Sequence, residues 1–144
     1  DVEQMREAAS VQVYYRGIDP TPIREVVMTG FNTVTRIGKA VCLPGDIVFG
    51  AGGGVLFIPS HLVAEVVEGA AKTHIKDIFG FEMISKNLFT TAQIDKNVWT
   101  EDMLDKLIRF IGEDERGLPY RSLDWSAEYY AALHGDSSDT QTAL

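Results

Sequence analysis

The residues most open to a chemical reading are a glycine run, three histidines, one cysteine and a scatter of carboxylates and arginines. The run Gly50-Ala51-Gly52-Gly53-Gly54 has the composition of a phosphate cradle. Such a cradle needs a strand before it and a helix N-terminus directly after it, so that amides and helix dipole converge on the anion. Here the apolar run Val55-Leu56-Phe57-Ile58 follows, and neither GxGxxG nor GxxxxGK(S/T) is met. A hairpin loop without a ligand is therefore expected. His61, His74 and His134 are not spaced as a metal pair on one helix, and each reads as structural. Cys42 is the only cysteine. It cannot form an intramolecular disulfide or a thiolate cluster, and between Val41 and Leu43 it reads as a buried, unreactive thiol. Ser60 and Ser85 lack the G-x-S-x-G setting of a hydrolase nucleophile. What remains is Asp1, Arg16, Asp46 and Asp77, and each taken alone reads first as a solvated or capping residue.

The elements that would position these residues follow from periodicity. A short helical pattern (Val2, Met5, Ala9) opens the chain, and Val11–Arg16 alternates with period two as a strand ending at Gly17. Strand signals resume over Glu25–Met28 and Asn32–Ile37, where Gly38-Lys39 makes a tight turn into Ala40–Leu43. Pro44-Gly45-Asp46 turns the chain again. Ile47–Phe49 and Val55–Ile58 bracket the glycine run as a buried hairpin. Ser60 is then a candidate N-cap for a helix whose apolar face runs through Leu62, Val63, Val66, Val67, Ala70, His74, Ile75, Ile78 and Phe79, with Gly80 as its stop. That face is expected to pack on the sheet, with Glu68 and Lys72 paired at i,i+4. A second helix is expected from Thr100 as N-cap to Gly112, burying Met103, Leu104, Leu107, Ile108 and Ile111. The aromatics Tyr120, Trp125, Tyr129 and Tyr130 imply that Leu118–His134 docks rather than trails, and the polar residues from Gly135 on read as disordered.

Composition bounds the function. With 144 residues, 45% hydrophobic and 10% aromatic, the chain suits one α/β domain with an ordinary core. A formal charge of −8, with no Lys/Arg cluster to offset it, argues against nucleic acid. There is no run of 18 apolar residues and no signal or transit pattern, so a cytoplasmic chain without a membrane span is expected. The chain starts without Met, directly in a helical pattern, and is expected to continue upstream.

Taken in order, Val13-Tyr14-Tyr15-Arg16-Gly17, Leu43-Pro44-Gly45-Asp46-Ile47-Val48, the glycine loop ending in Gly54-Val55, Leu56-Phe57-Ile58-Pro59 and the helix through Glu65-Val66-Val67 resemble the RraA-like family. That family holds the regulators of ribonuclease E activity A and the 4-hydroxy-4-methyl-2-oxoglutarate aldolases, and its members are often labelled dimethylmenaquinone methyltransferases. The resemblance covers residues 1–80. The stretch Phe89–Asp95 with Trp99-Thr100 resembles the C-terminal extension of one branch. It implies a β/β/α swivelling-type fold, here mainly its second half with added C-terminal helices. The expected layout is the half-domain over 1–80, a helical extension over 81–134 and a tail over 135–144. It also implies a homo-oligomer, a trimer or hexamer with active sites between subunits.

The aldolase branch carries an Arg-Asp pair, the Arg holding the pyruvoyl oxygen and the Asp supporting a divalent cation. Asp1 falls at that Asp, and the Arg would precede it. The resemblance therefore implies Asp1 and Arg16 as catalytic residues and Asp1 and Asp77 as metal residues, for Mg²⁺ or Mn²⁺. Asp77 falls where the aldolases place a carboxylate that reaches a metal-bound water of the neighbouring subunit. Near the expected helix end an unpaired Asp is disfavoured by the macrodipole by ~0.3–1 kcal/mol, which favours a cationic partner. One departure is that Gly52 and Gly53 stand where many members carry acidic residues. The implied chemistry is metal-dependent cleavage or decarboxylation of a 2-keto acid, the cation stabilising the enolate left behind. The alternative is a non-catalytic member that binds and regulates an RNA-processing enzyme. A lyase of the same fold acting on another substrate, such as a sugar-derived keto compound, stands beside both.

Overall fold

The computed structural model describes residues 27–135, together with Gln4, Glu7, 13–15 and 17–20. The chain is mixed α/β and divides into two units, Asp1–Thr33 and Val34–Leu144. In the first, Gln4 and Glu7 are helical, whereas Val13, Tyr14, Tyr15, Val27 and Met28 lie in no strand. That corrects the strands expected over Val11–Arg16 and Glu25–Met28 as far as their described residues go. Alternation supplies a pattern, but a strand also needs a hydrogen-bonded partner.

The second unit begins with two antiparallel hairpins. Strands β1 (Thr35–Ile37) and β2 (Ala40–Cys42) pair with Ile37 opposite Ala40, leaving Gly38-Lys39 as a two-residue turn. Gly38 has φ +62° at the first central position, as a II′ turn requires. The next turn is closed twice: the Asp46 amide donates to the Leu43 carbonyl at 3.1 Å, and the Leu43 amide donates to Asp46 Oδ2 at 2.8 Å. With Pro44 and then Gly45 at φ +90°, it has the residues and backbone of a type II turn. Strands β3 (Ile47–Ala51) and β4 (Gly54–Ile58) pair from Ile47 opposite Ile58 to Ala51 opposite Gly54. The strands thus absorb most of the glycine run, and only Gly52-Gly53 turn.

This second hairpin is not buried as expected. Val48 and Phe49 are 59% and 55% exposed although adjacent residues face opposite sides, and Leu56 is 60% exposed. Apolarity of the runs indicates that something must cover them, but the described part of the chain does not supply that cover.

The long helix α1 (Val63–Ser85) differs from expectation at both ends. Ser60 does not cap it: Ser60–Leu62 form a 3₁₀ turn, and neither Pro59 nor Leu62 gives a side-chain cap. Gly80 does not stop it either, so the boundary expected at residue 80 falls inside the helix. The end comes at Asn87, φ 56°, in a Schellman arrangement: the Asn87 amide donates to Ile84 O at 3.0 Å and the Leu88 amide to Met83 O at 2.9 Å. Gly80 instead lets Ile94 approach, for a Cβ there would lie 2.7 Å from Ile94 Cγ2.

The expected apolar stripe divides along α1. Ile75, Phe79 and Met83 are buried, while Val66 and Val67 are 42% and 62% exposed, so the face led by Leu62 does not pack on a sheet here. The buried half meets α2 (Thr91–Ile94), α3 (Glu101–Glu113) and α4 (Ser126–His134). Thr90 opens α2 with a reciprocal capping box to Gln93, and the Thr100 hydroxyl accepts from the Met103 amide to open α3, as expected. Helix α3 runs one residue past Gly112 to Glu113 and buries Met103, Leu104, Leu107, Phe110 and Ile111. Phe110 takes the inward place expected of Ile108, which is left exposed, because the 3,4-spaced row from Met103 passes through 107 and 110–111. Trp125 is buried and Tyr120, Leu123 and Tyr129 pack around the same core, so the aromatic segment docks as expected.

Gly80→Ala separates two opposing effects. Alanine is the better helix former by ~1 kcal/mol, but the clash with a β-branched side chain costs ~1–3 kcal/mol. A net loss of stability is expected in urea unfolding, and a stabilised variant would contradict the Gly80–Ile94 packing.

Candidate functional site

Of the residues expected to carry chemistry, Asp1 and Arg16 lie outside the described residues. Asp46 serves the turn just described. Asp77 is exposed on α1, and among the described residues its side chain makes no hydrogen bond or ion pair. Helix continuation to Ser85 puts it two turns before the C-terminus, where the macrodipole has faded, so the electrostatic argument for a cationic partner lapses. Asp77 lines a small cleft of about 150 Å³ with Asp95, Thr91, Phe81, Ile84 and Ile94. Among the described residues no three of His, Cys, Asp and Glu gather as a metal group. Magnesium needs a near-octahedral oxygen shell, in which protein carboxylates and waters share the ligation. The described residues alone therefore do not compose the expected metal site.

Two of the three histidines lie against tyrosine rings. His74 lies 6.0 Å from the Tyr120 ring, and His134 stacks on Tyr130 at 4.2 Å. Cys42 is half-buried and free, which corrects the expectation of full burial: its hairpin has little above it.

A larger cleft, about 320 Å³, opens between the second half of α1 and α3. Phe79, Met83 and Phe110 form its floor, and Glu82, Lys86, Lys106, Arg109, Glu113 and Asp114 its walls. Its charges are largely spent on one another. Glu82 receives Lys86 at 2.6 Å and also Arg116, and Arg116 reaches Asp114 at 2.7 Å while its guanidinium carbon lies 5.0 Å from the Phe110 ring centre. Lys106 pairs with Asp102. Hydrogen bonds from the Arg116 side chain and then its backbone amide hold the Asp114 carboxyl down to about 2, below the ordinary 3.8. Lys86 first, then Arg116, hold Glu82 below the usual carboxylate range. The arrangement fastens α1 to the end of α3.

A second set of cations packs against tryptophans. Lys76 Nζ lies 5.0 Å from the Trp99 ring centre and 5.8 Å from Trp125. Burial pushes its pKa below the ordinary lysine value and nearby Lys72 adds to that, with Glu128 opposing. The indole faces attract the ammonium form. Lys72 meets Glu68, the expected i,i+4 partner, at 3.1 Å and also Glu128 of α4 at 3.1 Å. Burial works against its charge, but the hydrogen bonds that its ammonium donates to Glu128 and Glu68 outweigh that and raise its pKa. Tyr129 donates to Asp105 at 2.7 Å, and burial together with that bond raises its pKa to about 12.

Sequence reasoning missed the two long-range ion pairs because their members lie far apart in the chain. Arg116 and Glu82 are 34 residues apart, and Lys72 and Glu128 are 56 apart. The two tryptophans were the available signal, since large aromatics in a polar segment mark a packing site. No helix among the described residues is long and apolar enough to cross a membrane. No family model, curated protein or solved structure matches the chain.

The Asp114 carboxyl gives a pH prediction. Its folded pKa is depressed, so its contribution to stability is complete above the ordinary 3.8 and is lost as pH falls through about 2. Carbon-detected NMR titration should place its midpoint near the lower value, and Arg116→Ala should return it toward the upper one. An unchanged midpoint in the variant would contradict the pairing.

Proposed function

We propose that this chain is part of a cytoplasmic, metal-dependent lyase of the pyruvate aldolase or oxaloacetate decarboxylase type. It has the β/β/α swivelling fold of the RraA-like resemblance, acts on a 2-keto acid and is a homo-oligomer, trimer or hexamer. Asp1 of one subunit and Asp77 of the next share a Mg²⁺ or Mn²⁺ through water, with Arg16 at the substrate.

What carries the reading is the order of elements around one turn. The doubly closed Leu43–Asp46 turn leads into the β3–β4 hairpin and then into α1, the succession that the resemblance implies. Asp77 supports it as an exposed carboxylate with no partner among the described residues. The large apolar side chains exposed on β3, β4 and the first half of α1 suit a surface completed by further protein.

That same exposure favours a second reading, a non-catalytic protein that docks on and regulates an RNA-processing enzyme. It predicts co-migration with a purified ribonuclease E-type endonuclease in gel filtration, and separate elution would count against it.

The enzyme reading is tested by pyruvate release from oxaloacetate and from 4-hydroxy-4-methyl-2-oxoglutarate. Release should depend on Mg²⁺ or Mn²⁺, stop with chelator, and fall ~10–100-fold in Asp77→Asn, the usual effect of losing an outer-shell carboxylate. Release no faster than the metal-only background for both substrates would overturn it.

A further inference from the structure

We draw no further inference here: the strongest candidate, the apolar surface that β3, β4 and the N-terminal half of α1 expose, carries no proposal because nothing in the structure shows what covers it.

Discussion

The second unit depends on Phe79. Its ring meets Phe89 at 6.3 Å, Trp99 at 5.9 Å and Phe110 edge-on at 5.7 Å, so one side chain of α1 gathers three separate later stretches. Tilted and edge-on aromatic pairs at these separations are favourable beyond their area. Ile75, Leu104 and Leu107 are fully buried around it, and no polar or charged residue is buried among the described ones. The core is thus held by non-directional burial. The indole donor of Trp99 is satisfied, for Trp99 Nε1 gives its proton to Ile94 O at 3.0 Å. The ion pairs of Lys72 and Arg116 lie at the margins, and exposure of the Arg116 side chain limits that pair to little stabilisation. Their role is to fix which parts of α3 and α4 meet α1.

The first half of α1 and the two hairpins stand in contrast. A two-stranded ribbon is marginal by itself in water, and apolar residues on both faces are the mark of a strand from the inside of a covered sheet. Helix α1 crosses from one regime to the other without a break, over 23 residues or about 35 Å. Asp77 sits just inside the packed half, flanked by Ile75 and Phe79, so the core fixes its backbone while its side chain stays outside.

Local chemistry was the legible part of this sequence. Gly38-Lys39, Pro44-Gly45, the Thr100 cap and the Glu68–Lys72 pair each rest on neighbours in the chain and were read correctly. The glycines show where that approach stops. Gly80 looks like a helix stop because glycine ends helices, yet it serves a close approach by Ile94, fourteen residues on, which no local rule reveals. The 3,4 stripe of α1 announced an apolar face but could not say that only its second half would be covered. Of the candidate site, Asp46 was legible as a turn residue, whereas Asp77 was placed by resemblance, because an exposed carboxylate on a helix carries no pattern of its own.

Asp77 as a metal-site residue is tested most directly by paramagnetic relaxation in the assembled protein. With equimolar Mn²⁺, amide signals around residues 74–81 should broaden, and in Asp77→Asn the same broadening should need ~10–100-fold more Mn²⁺ while the fold, judged by the remaining spectrum, is kept. Broadening that spares this turn, or that persists unchanged in the variant, would contradict a metal site completed by Asp77.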